Sequence, residues 1–492
     1  MRLILLSSRI LVALVSAALL VMIAASGTAY GAERDDVRTF GQDIASQEGP
    51  WDTRETQIDI NGQPFKLILR HFPGDVAWAD RVQSITPQAI PAIQAAIGVN
   101  YPGPPTLRVT ERTGPEMYGA AGIAQCNTDI CALAIGEDSE AEVLLHEIAH
   151  VWTYSFKNRW LAEGTAEFAA VAAAGSMGVP IRFPLEGGNR LPAYPLDHWG
   201  SFAGFDEGTY ETELEGYDRS TRFLQLLQSR NPTAMAAAYG ALVGKPQISV
   251  ESEQFMDAME DAGGGNNDDL FRAWIFGPEM QAAVADRRSA RDNFGGMASR
   301  LVNETPELGQ EALTPIRQTL HEWNFAQANE EITQAKLGID AYLGIRDRLN
   351  AFKGAAEATG LAYPIPFDQA RISLDYQTVA GQLDIGEEAI RAYPAARDAV
   401  QAERSTIQKI GLFGQDPDGD LEQVESDFAW ARFDQSIEKG QQVQDTIKGA
   451  ESAGVRNAVI GGVLLLLFVA VGLFAVKWAL SAEEPEAAPM EG

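Results

Sequence analysis

Histidine is scarce in this 492-residue chain, with five in all, yet two of them stand four apart in "EVLLHEIAHVW". Residues four apart share one face of a helix, so His146 and His150 would aim both imidazoles at a common point. Glu147, directly after the first, would sit one position round, close enough to reach a water held there. This H-E-x-x-H spacing suits zinc, which in catalytic sites takes three protein ligands and keeps a position for water. The candidates for the third ligand are Glu163 and Glu167 in "RWLAEGTAEF". They too are four apart, so one can bind metal while the other hydrogen-bonds a ligand histidine from behind. The plain alternative is a pair of satisfied core histidines facing solvated glutamates.

Positioning these groups requires two helices packed face to face. The first is expected to start at "SEAE", where Ser139 and Glu142 form a capping box. The second, "RWLAEGTAEFAAVAAAG", is expected to end at Gly175, and "GYDRSTRFLQLLQSR" reads as a third. "GGGNNDDLFRAW" closes the region with a glycine break and an Asn/Asp cap. Upstream, "QIDINGQPFKLILRHF" alternates around an Asn61-Gly62 hairpin signal. A helical stretch interrupted by prolines follows, then "PTLRVTE" as a strand. "GAAGIAQCNTDICALAI" reads as a strand pair with cysteines at its turn.

H-E-x-x-H followed by "WLAEGTAEF" resembles the gluzincin metallopeptidases, in particular the peptidase MA-like group, and more distantly thermolysin and the membrane-alanyl-type aminopeptidases. The resemblance covers roughly 57–276 and is most specific between 139 and 170. It implies that Glu163 is the third zinc ligand and that Glu167 supports a ligand histidine. It also implies that Tyr217, in "YDRSTRFLQLL" with Ser220 at a small position, donates to the tetrahedral intermediate; Tyr210 is a rival, and an ordinary core aromatic is the alternative. In such enzymes the strand before the first helix holds the substrate backbone, which points to "ICALAI". The aminopeptidases carry an acid there that captures the substrate's amino terminus, whereas this chain has "GAAGIAQC", which favours an endopeptidase. Zinc on His146, His150 and Glu163 would acidify a bound water, and Glu147 would take its proton and pass it to the leaving amine.

The two ends of the chain are apolar. Residues 1–32 have the layout of a secretory signal, with Arg2 and Arg9, an apolar run and small residues before charge resumes. An uncleaved anchor is the alternative. "NAVIGGVLLLLFVAVGLFAV", followed by Lys477 and Trp478, is long enough to cross a bilayer as a helix. With the signal removed, the body would lie outside the cytoplasm and the acidic tail inside. Only Cys126 and Cys131 occur, and in an oxidising compartment they read as a small disulfide loop, two free thiols being the alternative. The net charge of −30 argues against nucleic acid or anionic membrane surfaces as partners.

The expected fold is α+β. A linker (33–56) leads to a gluzincin-like domain of mixed sheet then helices (57–276). An all-α membrane-proximal domain (277–456), a transmembrane helix (457–478) and a cytoplasmic tail (479–492) follow. Within the helical domain "WNFAQANEEI", "GQLDIGEEAI" and "ARFDQSIEKG" look alike at irregular spacing, as helical hairpins. "DPDGDLEQVE" has its glycine misplaced for a calcium loop and reads as a turn and helix cap. The expected function is a single-pass zinc metallopeptidase at the cell membrane acting on peptide or protein substrates, with the bilayer as a further partner through one helix. A peptidase-like module that binds without cleaving is the alternative, argued against by the intact Glu147. A membrane-anchored scaffold is a third.

Overall fold

The computed structural model describes residues 49–60, 62–117, 120–126, 130–181, 190–200, 202, 208–243 and 249–481. The signal sequence expected at 1–32, most of the linker and nearly all of the tail lie outside them. The chain divides into two compact units, Met1–Asp286 and Arg287–Gly492, ten residues beyond the division at 276/277 expected from sequence.

The first unit opens with a five-stranded mixed sheet: β1 (Asp52–Ile60), β2 (Gln63–His71), β3 (Thr106–Arg112), β4 (Gly122–Cys126) and β5 (Cys131–Gly136). The order is β1-β2-β3-β5-β4. β1 and β2 are antiparallel, and Gly62, directly before β2, takes φ 81°, a conformation that favours glycine. β2, β3 and β5 run parallel. In β2 the alternation is strict: Phe65, Leu67, Leu69 and His71 are buried on one face. Burying each leucine contributes about 1.5–3 kcal/mol. β4 pairs antiparallel with β5, and the disulfide Cys126–Cys131 joins directly opposed residues.

Helix α1 (Val76–Ile97) links β2 to β3 and packs on β1 and β2, with Val82, Ile90, Ile93 and Ile97 among its buried residues. It runs through Pro87 and Pro91, where an interruption was expected. Both prolines lie off the fully buried stripe, where the carbonyls they free can meet water. Within that stretch the Gln88 side chain donates to the Ser84 carbonyl and the Thr86 hydroxyl to that of Val82.

Further along the unit, the described residues form the helices α2 (Ala141–Thr153), α3 (Arg159–Met177), α4 (Tyr210–Arg230), α5 (Pro232–Leu242) and α6 (Ser252–Met259). The expected capping box at α2 does not form. The Ser139 hydroxyl donates instead to the Ala121 carbonyl at 2.7 Å, tying the helix start to the approach of β4. α3 passes Gly175 and stops at Gly178, whose φ of 68° suits the left-handed cap. α4 begins six residues before Gly216. Gly263 and Gly265 break the chain after α6, and Asn267 precedes the short helical turn Asp268–Leu270.

The second unit is helical among its described residues. α7 (Gln281–Glu304) crosses the unit boundary, and after it come α8 (Thr314–His321), α9 (Phe325–Thr359), α10 (Ile365–Ser373), α11 (Tyr376–Gln401), α12 (Thr406–Gly411), α13 (Pro417–Ala429) and α14 (Phe433–Ser481). Trp323, Leu374 and Ala431 all take φ 56°, two residues before the buried aromatics Phe325, Tyr376 and Phe433 that open α9, α11 and α14. Each sits at the corner of a hairpin between a short and a long helix. The middle likeness drawn from sequence, at 381–390, is therefore out of register, because it falls inside α11. Asp416 caps α13 by accepting the Gly419 amide at 3.1 Å, so this segment is a turn and cap as expected. The second half of α14 is long and apolar enough to cross a membrane, and its apolar residues are exposed.

Candidate metal centre

The histidine helix α2 buries Leu144, Leu145, Ile148, Ala149, Val151 and Trp152, leaving His146 and His150 half-buried on the remaining face. Its partner α3 is rich in glycine and alanine, so the two helices approach closely. The start of α3 is pinned by a buried polar network. Asn158 donates to Asp197 and accepts the Ser252 amide, and Trp160 donates to the Ser252 hydroxyl. This fixes the rotation of α3 and hence the direction of Glu163, five residues on. Farther along, Gly164 lies against Ser220 of α4, where a Cβ on Gly164 would stand 2.6 Å from the serine's. That contact presses α4 onto α3 one turn after Tyr217.

Three atoms converge between the helices. His146 Nε2 lies 3.2 Å from Glu163 Oε2 and 3.1 Å from His150 Nε2, and His150 Nε2 lies 3.4 Å from the same carboxylate oxygen. Ligands placed tetrahedrally at about 2.0–2.1 Å from zinc stand about 3.3 Å apart, so the spacing fits. The donor set fits as well. His146 Nδ1 faces Glu167 Oε2 at 2.9 Å, and His150 Nδ1 faces the Thr153 hydroxyl at 3.0 Å. With Nδ1–H donated outward, each ring turns a lone pair inward, and a carboxylate oxygen meets them there. Three acceptors at one point call for a cation. A carboxylate oxygen of Glu147 also lies within 4.8 Å of the histidine nitrogens. Glu163 is the nearer, and its oxygen is shared by both rings.

The charges reflect this crowding. Burial opposes protonation of His146, but Glu163 and Glu167 outweigh it and hold its pKa well above the ordinary value. Burial would raise Glu163, yet His150 and His146 hold it well below the usual carboxylate range. Glu147 is pushed up by burial. Its side chain runs beside Gly122 of β4: a Cβ there would lie 2.5 Å from its Cγ and Oε1. The Tyr217 ring sits 5.9 Å from that of His146 and 5.0 Å from Trp199, and burial raises its hydroxyl well above the ordinary range. Arg159 stacks on Trp199 at 4.1 Å and is anchored by both oxygens of Glu213.

The structure thus brings together His146, His150 and Glu163, with Glu167 behind His146 and Glu147 alongside. Tyr217 is the tyrosine beside the histidines; Tyr210 is exposed at the first position of α4. The edge strand is not "ICALAI", which forms β5 and is enclosed by β3 and β4. It is β4, "GIAQC". Three participants escaped the sequence reading. Thr153 could have been found, since it stands three residues after His150 on the same helix. Gly122 and Trp199 carry no local signal.

No family model matches the chain, and no curated protein matches it. Solved structures of an M1 zinc metallopeptidase from Deinococcus radiodurans are similar to it. One is 19% identical with a TM-score of 0.35, covering 46% of this chain and 52% of that one. A mutant of the same enzyme is 18% identical with a TM-score of 0.35, covering 46% and 53%. The mutant bound to a Tyr-Ser-Ala substrate is 17% identical with a TM-score of 0.32, covering 46% and 52%. The match spans about half the length of those chains, and TM-scores of this size establish neither a shared family nor an activity.

Proposed function

We propose that this chain is a zinc metallopeptidase held at a cell membrane by one C-terminal helix, with its peptidase domain outside the cytoplasm. The observation that carries the reading is the convergence of His146 Nε2, His150 Nε2 and Glu163 Oε2 within 3.1–3.4 Å, with a glutamate that is not needed as a ligand beside them. His146, His150 and Glu163 would hold the zinc, which when bound polarises a carbonyl and makes water acidic near neutral pH. Glu167 and Thr153 fix the tautomer and orientation of the two rings.

Glu147 takes the proton of the attacking water on its carboxylate and returns it to the departing amine; its burial suits it to hold that proton in between. The Tyr217 hydroxyl, kept protonated by burial, donates to the developing oxyanion. Substrate backbone adds along the outer edge of β4. No acid stands on Gly122–Cys126 to capture an amino terminus, which favours cleavage of internal bonds. In this layout residues 1–32 are a signal, 57–276 the peptidase domain, 277–456 a membrane-proximal domain, 457–478 the span and 479–492 a cytoplasmic tail.

The test is hydrolysis of a peptide library by the solubilised full chain, with and without chelator, beside Glu147→Gln. Chelation is expected to abolish cleavage. Glu147→Gln is expected to retain metal and slow turnover by roughly two to four orders of magnitude. Metal-bound protein that binds peptides without cutting them would favour a binding module instead.

A further inference from the structure

The membrane-proximal unit carries an apolar feature that its own core does not use. Helix α12 packs on α14 through glycines. Gly411 lies against the Ala450 carbonyl and Gly454 against that of Ile407, so closely that a Cβ on either would collide with a backbone oxygen. Leu412 is buried. Ile407, Ile410 and Phe413, spaced three apart, are 37%, 37% and 89% exposed. The Ile410 carbonyl accepts two hydrogen bonds, from the Phe413 amide at 3.3 Å and from the Asn457 side chain at 3.4 Å. Phe413 is therefore tied to Asn457, the residue at which the apolar stretch of α14 begins.

Position along α14 decides what these side chains meet. Asn457 to Val476 is twenty residues, about 30 Å of helix, which matches the hydrocarbon core of a bilayer. Gly454, opposite Ile407, precedes Asn457 by three residues, about 4.5 Å along the axis. Each headgroup layer is about 5–8 Å thick. Lys409, between Ile407 and Ile410, and Arg456, directly before Asn457 on α14, are both exposed and suit lipid phosphates.

We propose that the turn Ile407–Phe413 is an interfacial foot, lying in the headgroup layer of the bilayer beside the start of the span. The proposal rests on the reading of Asn457–Val476 as a membrane helix. The foot anchors α14 at a second point, so the unit is held against the bilayer instead of turning freely about a single helix.

Because the two native cysteines are joined in a disulfide, single-cysteine variants of the full chain can be labelled selectively. Phe413→Cys carrying an environment-sensitive fluorophore would be reconstituted in phosphatidylcholine vesicles containing spin-labelled lipid, with the quencher near the headgroup or deep in the chains. Ile410→Cys repeats the measurement with Phe413 intact. Leu466→Cys, inside the span, and Glu330→Cys, exposed near the start of α9, are the references. Labels at 413 and 410 are expected to be quenched at least twofold, more by the shallow quencher than the deep one, with the reverse order at 466 and no quenching at 330. Quenching at 466 but not at 413 or 410 overturns the foot and leaves the span standing. No quenching at 466 removes the span and the foot with it. Labels at 413 and 410 that are shielded from lipid but self-quench between chains overturn the foot in favour of a contact between copies.

Discussion

Replacing Gly122 by alanine would set a methyl group against the side chain that the proposed chemistry uses as its base. The added Cβ would lie 2.5 Å from both Cγ and Oε1 of Glu147 and 2.8 Å from Cδ. Carbon atoms rest about 3.5–4.0 Å apart, so the Glu147 side chain must retreat by about 1 Å. Gly122 is not among the glycines with positive φ, so alanine strains no backbone there. The retreating atoms belong to a flexible side chain, and stability should change by less than about 1.5 kcal/mol. Catalysis is far more sensitive, because a 1 Å misplacement typically costs about a hundredfold in rate. The expected variant therefore melts near the parent temperature, keeps its zinc and turns over about a hundredfold more slowly. Thermal melts, metal content and steady-state cleavage of one fluorogenic peptide, measured on both proteins, check this. Parental turnover in a folded, zinc-loaded Gly122→Ala protein would refute the role of Glu147 as base, or the placement of β4 beside it.

Gly164→Ala inserts a methyl 2.6 Å from the Ser220 Cβ and 3.1 Å from its backbone carbon, so α4 must move off α3; a loss of about 1–3 kcal/mol in chemical denaturation is expected, with partial recovery on adding Ser220→Gly. Glu163→Gln should abolish tight zinc retention in competition with a chromogenic chelator, whereas Glu167→Gln should weaken it about ten- to a hundredfold; the opposite order would exchange their roles. Glu111, buried at the end of β3, is pushed by burial up to about 7, against the Phe72 amide that donates to it and with the Asp75 carboxylate adding to the rise. Its folded pKa lies above its unfolded one, so the stability from its neutral form is full below about pH 4.5 and is lost as pH rises through about 7. Urea melts across that range should show the fall in the parent, and Glu111→Gln should flatten it.

The helices bearing the candidate metal site were legible because their signals are local. Four-residue spacing places His146 with His150 and Glu163 with Glu167, and such spacing survives whatever the helices pack on. The antiparallel pairing of β1 with β2 and the Cys126–Cys131 disulfide were legible for the same reason. What the sequence hid depends on contacts distant along the chain. β5 reads like an edge strand until β3 covers its other side, and nothing near "ICALAI" announces that pairing. Ser139 has the spacing of a cap, yet the Ala121 carbonyl, eighteen residues earlier, takes its hydroxyl. Gly175 is a plausible helix stop, but only Gly178 adopts the left-handed conformation that ends α3. Gly122 looks like a loop glycine and acquires meaning only when β4 lies along α2.

The most direct test of the metal centre is zinc K-edge X-ray absorption on the freshly purified full chain, beside His146→Ala and Glu147→Gln. The expected result is about one zinc per chain with two imidazoles and light oxygen or nitrogen ligands at about 2.0–2.2 Å, unchanged in Glu147→Gln and lost in His146→Ala. Zinc absent from the parent, or retained in full after His146→Ala, would contradict the site.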